Sequence, residues 1–474
     1  MNWSLALRNL LRNRRRSLAT ALALCIGASA ILFFGGYSMN IQYTMQTAYV
    51  RGGGHLQIQH RDYYLYGSGN PVAYGIADYE RIMAAIRADD LLKPMISVVS
   101  PTLQFGGIAG NFGAGVSRTI IGTGIVAADM DRMRQWNEFK VPLPAPPFAL
   151  NGAAADAAII GKGLARVLQL CEPLGITDCP ATAAASASAA PASGAAPAEA
   201  TPTLPADIAA LTGASDPAAA SEPADSTRIE LLAGQARGAP NIASLKVVKA
   251  EAQGFKEFDD VAVIMQFPAA QRLLYGGSDR KATSIVVQLH STGQTAAAIA
   301  RLEEMLPALS SGQPLAVLDF ETLNPFYVQT VQLFNTIFGF IFTLIGAIVL
   351  FTVTNTMNTA VVERTVEIGT LRAMGVRRRG IRTLFVIEGA VLGCVGALGG
   401  AVLALGVAAV FNALGLTWLP PGSSEPLPLQ LRVWGEFGMV AGTLAGLAAI
   451  AVASAWWPAH RAARMNIVDS LRHV

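Results

Sequence analysis

Residues 361–400 read VVERTVEIGTLRAMGVRRRGIRTLFVIEGAVLGCVGALGG, and the reading of this stretch decides the fold. It starts just after one long apolar run has ended, near Thr354, and passes straight into another. Between the two lies a short charged link with Arg364, Arg372, Arg377, Arg378, Arg379 and Arg382. Arginines gathered between two membrane-length segments are retained on the cytoplasmic side, so the positive-inside bias places the link there. From Glu363 to Met374 there is no proline and Gly369 is the only glycine, which predicts a helix of about three turns. Glu363 and Glu367 stand i,i+4 on one face, and Ile368, Leu371 and Arg372 gather on another. A short helix lying across the membrane face with charged and apolar sides is suited to docking against another protein.

The whole chain agrees with a membrane setting. Of 474 residues, 52% are apolar and only 14% charged, the composition of an integral membrane protein. A net charge of +3 is too small for a nucleic-acid partner, and the basic residues sit beside apolar runs instead. Four runs, at 18–37, 331–354, 384–411 and 437–457, reach the roughly 20 apolar residues a bilayer crossing needs. Arg8, Arg12, Arg14, Arg15 and Arg16 precede the first, and Arg461, Arg464 and Arg472 follow the fourth. The link between the third and fourth holds Arg432 alone against Glu425 and Glu436. Both termini and the central link are therefore expected in the cytoplasm, and the region between the first two runs outside it.

The expected fold is an integral membrane α-helical bundle of four transmembrane helices, with a large α+β periplasmic domain inserted between helices 1 and 2. An amphipathic cytoplasmic-face helix covers 1–17, with Trp3, Leu7, Leu10 and Leu11 near one side and Arg8, Arg12 and Asn13 on the other. Trp3, Arg14, Arg15 and Arg16 are its membrane-interface residues. Transmembrane helices are placed at 18–38, 331–355, 384–412 and 437–457, and the periplasmic domain at 39–330. The cytoplasmic coupling helix and loop take 356–383, a short periplasmic loop 413–436 and a cytoplasmic tail 458–474. The RNRRR before the first run also suits a signal peptide, but the apolar run continues past Ala28–Ser29–Ala30 through Ile31, Leu32, Phe33 and Phe34, which favours an uncleaved helix.

Within the outer region, strands are expected at 55–60, 97–99, 117–123, 158–160, 228–232, 243–251, 261–266 and 284–289, and helices at 78–88, 268–274 and 295–306. The GKG at 161–163 lacks the following Ser or Thr and the upstream glycine of a phosphate loop, so it reads as a strand-to-helix turn. Residues 180–226 are Ala, Pro, Ser and Thr with almost no large apolar side chain, which reads as a disordered insertion splitting one domain. Cys171 and Cys179 are expected as a disulfide in an oxidising compartment, with two free thiols as the alternative. Cys25 and Cys394 fall inside apolar runs as packing residues. In the later runs Gly389 and Gly393, Gly396 and Gly400, and Gly442 and Gly446 are spaced four apart, which allows close helix approach within one subunit or across a dimer. Glu388 enters an apolar run and is either functional or reaching back toward water.

No Walker A loop, zinc cluster, HExxH or nucleophile elbow appears, and the five histidines are scattered. The apolar runs carry no ladder of ionisable groups for a proton-coupled carrier. The chain is thus expected to be a non-catalytic subunit with no metal and no cofactor of its own.

ERTVEIGTLRAMG from 363, IRTLFVIEGAVLG from 381 and PAHRAARMNIVDSLRHV from 458 together resemble the permease subunits of the MacB/FtsX/lipoprotein-releasing group of ABC transporters. The resemblance covers roughly 1–60 and 230–474. It implies that Glu363, Arg364, Glu367, Ile368, Leu371, Arg372 and Met374 contact a separate ABC ATPase present in two copies, which holds ATP and Mg. It implies a permease dimer, with itself or a related permease, in the bacterial inner membrane. A periplasmic adaptor or lipoprotein is a further implied partner, and lipoproteins, peptides or amphipathic compounds the cargo moved by mechanotransmission. The alternatives are an FtsX-like regulator that passes ATPase motion to envelope hydrolases without transport, and a membrane receptor with no ATPase.

Overall fold

The computed structural model describes residues 8, 9, 12 and 14–466, apart from 68, 177–225, 236–237, 277–279 and 420–425. The first described helix, α1, runs Arg14–Gly53 over 40 residues. At 1.5 Å per residue it is about 60 Å long, twice the ~30 Å hydrocarbon thickness of a bilayer. No proline interrupts residues 39–51, so the helix continues beyond the apolar run until three glycines end it. Gly54 takes φ +72, and a Cβ there would sit 2.6 Å from Val286 Cγ1 and 2.8 Å from the Val287 carbonyl oxygen. Only glycine makes this exit.

The α+β part follows: β1 (Leu56–His60), α2 (Tyr79–Ala88), β2 (Ile96–Asn111), β3 (Val116–Ile125), α3 (Ala127–Arg134), β4 (Ala157–Gly161) and α4 (Lys162–Val167). Beyond the undescribed stretch come β5 (Arg228–Gly234), β6 (Pro240–Glu251), β7 (Ala262–Gln266), α5 (Phe267–Tyr275), β8 (Ser284–Leu289), α6 (Thr295–Leu309) and β9 (Leu315–Asp319). Strand β2 organises them. Along one edge it pairs first with β8 and then with β5, and along the other, from Thr102 onward, with β3. Because β3 also pairs with β7, the order β3-β7-β4-β6-β5-β2 closes on itself as a six-stranded ring, while β2-β8-β1-β9 continues as an antiparallel wing. Ring and wing share one apolar core, from Leu56 and Ile82 through Phe105 to Leu164 and Met265.

Residues 97–99 belong to a 16-residue strand, far longer than the alternation alone suggested. GGIAGN in its second half reads locally as loop, but Gly107 lets β5 approach, since a Cβ there would lie 2.6 Å from the Leu232 carbonyl oxygen, and on β3 a Cβ on Gly122 would lie 2.2 Å from the Phe105 ring. Strand β9 and helix α3 also went unread in the sequence. The GKG turn is packing of the same kind, since a Cβ on Gly161 or Gly163 would strike the 259–260 backbone or the Asp260 carboxylate. Cys171 is disulfide-bonded, while Cys179 and nearly all of the 180–226 insertion lie outside the described residues.

The chain re-enters the bundle as α7 (Pro325–Glu363), turns into the short α8 (Thr365–Ala373), and continues as α9 (Arg378–Ala413) and α10 (Phe437–Ala463). Helices α1, α7, α9 and α10 are each long and apolar enough to cross a membrane. Between α9 and α10 a two-stranded ribbon, β10 (Thr417–Trp418) with β11 (Leu427–Pro428), is described. Helix α9 is central. Gly389 and Gly393 bring it against Ala455 and Ala451 of α10, and Gly396 and Gly400 against Leu24 and Ala28 of α1. Gly446 of α10 faces the Phe342 ring of α7. Gly442 is different: among the described residues, a Cβ there would meet no atom within 4 Å. Leu24, Ile31, Val353, Phe385, Leu392 and Leu447 fill the bundle core.

Candidate functional site

One residue, Arg364, separates α7 from α8, and its backbone (φ −105, ψ 18) leaves the helical region. The break turns its side chain inward. Arg364 Nη1 donates to Glu388 Oε1 at 3.0 Å, and Nη2 donates to the Asn9 carbonyl at 3.0 Å. Asn9 Nδ2 donates to the same Glu388 oxygen at 2.7 Å. Arg364 is 6% exposed and Glu388 2%. Glu388 therefore does not reach back to water. Two charges this deep persist because each meets the other and Asn9 bonds both, while the buried Arg364 Nε has no hydrogen-bond partner among the described residues.

Outside this buried pair lie two exposed ones. Arg16 clamps Glu363 with both guanidinium nitrogens, at 2.9 and 2.6 Å, and Arg12 Nη2 reaches Glu367 Oε1 at 2.6 Å. Exposed pairs contribute about 0–1 kcal/mol each and weaken with salt. Asn9, Arg12 and Arg16 are thus fastened to the α7–α8 junction, to α8 and to α9 by a buried bolt and two surface ties.

This arrangement divides the seven residues assigned to coupling. Arg364 and Ile368 are buried within the chain, and Leu371 packs against the bundle core. Arg372 is half-buried, and Glu363 and Glu367 are occupied by Arg16 and Arg12. Met374 alone is open, at 69% exposure, and the open face is completed by Val362 and Val366, at 71% and 46%. The sequence reading passed over these two valines. The four-residue step Val362, Val366, Thr370, Met374 was the signal for them. Asn9 and the Arg364–Glu388 pairing gave no such signal, because the partners lie far apart in sequence. Of the membrane-interface residues, Arg14 and Arg15 are exposed, Arg16 is in the clasp, and Trp3 lies outside the described residues.

At the other end of α7 the joint is made differently. Val50, Trp136, Phe320 and Tyr327 form a buried cluster where α1 leaves and α7 enters. Arg51 Nε donates to the Trp136 carbonyl at 2.7 Å, and Gln288 Nε2 donates to the carbonyls of Val50 and Met133. His55 Nδ1 accepts the Leu289 N–H at 3.0 Å. Burial pushes the His55 imidazole down to about 4, against the opposing pull of the Glu138 charge, so it is neutral near pH 7. Tyr43 of α1 stacks on Phe139 at 4.2 Å, with the Arg432 guanidinium 5.0 Å from the Tyr43 ring.

Four helices long and apolar enough to cross a membrane, a clasped helix after the second and an α+β domain between the first two give the chain the build of a multi-pass membrane protein. Residues 337–467, from within α7 to the end of the bundle, match the family described as FtsX-like permease C-terminal. Among its relatives is a macrolide export ATP-binding/permease protein MacB of Sodalis glossinidius, 32% identical over 40% of this chain and 27% of that protein. Another is an ABC transporter permease of Methanocaldococcus jannaschii, 27% identical over 45% of this chain and 51% of that protein. The chain spans about half or less of the length of these curated relatives. The periplasmic region of MacB from Actinobacillus actinomycetemcomitans aligns over 58% of this chain and 94% of its own, at 11% identity and a TM-score of 0.30.

Proposed function

We propose that this chain is the permease subunit of an ABC transporter of the MacB/FtsX type, driven by ATP hydrolysis in a separate ATPase present in two copies. In this reading two permeases form the dimer, the termini and α8 lie in the cytoplasm of the inner membrane, and the α+β domain stands in the periplasm. The observation that carries it is the two-sided build of α8. On the inner side Arg364, which joins α7 to α8, is bolted to Glu388 of α9, and Ile368 of α8 packs into the bundle core; on the outer side stand exposed Val362 at the end of α7, Val366 of α8 and Met374 just after it, followed by the exposed Arg377, Arg378 and Arg379. A helix fixed on one side and apolar on the other transmits a push.

Closure of the ATPases on ATP and Mg would press this face and move α7 as a lever. The outer joint, tight and mostly uncharged, would pass that motion to the α+β domain as a switch between packed arrangements. Lipoproteins, peptides or amphipathic compounds at the periplasmic side are the cargo class this supports. The test is co-purification in mild detergent from cells expressing tagged chain. Val366→Asp with Met374→Asp is expected to remove the nucleotide-hydrolysing companion while leaving expression and melting unchanged. Normal recovery of that companion would refute the assignment of this face.

A further inference from the structure

The α+β domain contains an open cleft of about 800 Å³ that the coupling mechanism does not use. It lies where β3 ends at Ile125, opposite Thr102, and β2 runs on toward Ile96 without it. Helices α2 and α5 form its walls, with Pro101 and Val126 at the fork. The size falls in the range of small-molecule sites, and a seam between two parts of a domain is a common place for one.

The lining has two characters. Tyr79, Met83 and Phe267 present an apolar floor, with the Tyr79 and Phe267 rings edge to face at 5.7 Å. Arg87, Arg272 and Arg280 line the same cleft and are exposed. Of its two acids, Asp129 is paired with Arg132, and exposed Glu80 accepts the neutral Tyr79 hydroxyl, which leaves one carboxylate charge against three arginines. None of the three is paired with a carboxylate among the described residues. Arg87 donates only to the Val99 carbonyl, and Arg272 and Arg280 have neither hydrogen bond nor ion pair among the described residues. Gln271, also in the lining, ties the floor to the next segment: its Nε2 donates to the Tyr79 hydroxyl oxygen and to the Lys281 carbonyl, both at 3.2 Å.

We infer that this cleft binds an amphipathic anion, its hydrocarbon body on the Tyr79–Met83–Phe267 floor and its carboxylate or phosphate between Arg272 and Arg280. Guanidinium groups suit such heads through paired N–H donors, and unmatched arginines beside an apolar floor complement a ligand with one charged end. The inference is independent of the ATPase assignment, because it concerns binding to the chain alone.

The experiment uses the full chain in nanodiscs of zwitterionic lipid, with empty nanodiscs as background. Saturable fluorescence of dansyl-undecanoic acid is followed, with its methyl ester as the uncharged probe. The acid is expected to bind saturably and the ester weakly. Arg272→Gln with Arg280→Gln is expected to weaken the acid roughly tenfold or more, the scale of losing charge-assisted hydrogen bonds. Pro268→Trp, an exposed change that fills the cleft, is expected to abolish saturation with melting unchanged. Lauric acid is expected to displace the probe and inorganic phosphate to do so poorly. Absence of saturable binding, equal affinity in both variants, or displacement by phosphate as effective as by lauric acid would overturn the inference.

Discussion

At its inner end α7 is held by charge, with Arg364 on Glu388 and Asn9, Arg16 on Glu363 and Arg12 on Glu367. At its outer end it is held largely by rings and neutral hydrogen bonds: Tyr327 against Tyr49 and Phe320, and His55 against the Leu289 N–H. Ion pairs act over longer distances and respond to salt and to incoming charges, whereas packed rings lose their attraction within a fraction of an ångström. The lever role proposed for α7 would need one end that a partner can address and one end that does not slip. The two joints of α7 are divided in that way.

The comparison is broken most severely at the buried bolt. Arg364→Leu strands the Glu388 carboxylate among apolar helices and is expected to lower stability by about 3–5 kcal/mol. Arg364→Leu with Glu388→Leu is expected to recover most of that loss. Thermal unfolding followed by size-exclusion in detergent reads both. A double variant no more stable than the single one would show that the charge pair is not what fastens α8 to α9.

The outer joint is probed by pH. His55 titrates near 4 in the folded protein against about 6.5 unfolded, so the unfolded chain takes up the proton first. Its contribution is complete above about pH 6.5 and declines as pH falls toward 4, by about 3 kcal/mol in all. His55→Asn, which keeps an acceptor for the Leu289 N–H, is expected to flatten the dependence of melting temperature on pH across that window. An unchanged slope would remove His55 from the joint. Inner ties are weaker. Arg16→Ser is expected to cost no more than about 1 kcal/mol, with the difference from wild type vanishing in high salt. A larger or salt-independent loss would mean that Arg16 packs rather than pairs.

How much of this was legible depends on what is local in sequence. The four apolar runs, the strand at Ser284–Leu289 and the helix beginning at Thr295 announce themselves through run length and period, so their places could be read directly. The closed ring could not, because β2 meets β3, β5 and β8 through pairings that no local pattern encodes, and its glycines mimic a loop. The outer part of α1, beyond residue 37, was hidden because it is less apolar than the segment it extends. At the candidate site the charged helix was visible, but its facing was not. Glu363 and Glu367 look free until Arg12 and Arg16, some 350 positions away, are brought beside them. Glu388 had two readings in sequence, and the guanidinium of Arg364 decides between them.

The most direct test concerns the outer face of α8. Nucleotide hydrolysis that accompanies the tagged, detergent-purified chain is measured for wild type, for Val366→Asp with Met374→Asp, and for Arg364→Leu with Glu388→Leu. Hydrolysis is expected to be lost in the first variant, whose fold is intact. The second is expected to keep the companion bound while hydrolysis no longer changes the protease sensitivity of the α+β domain. If the wild-type complex never contains a nucleotide-hydrolysing companion, or the aspartates leave it bound, the account of α8 as the driven element is wrong.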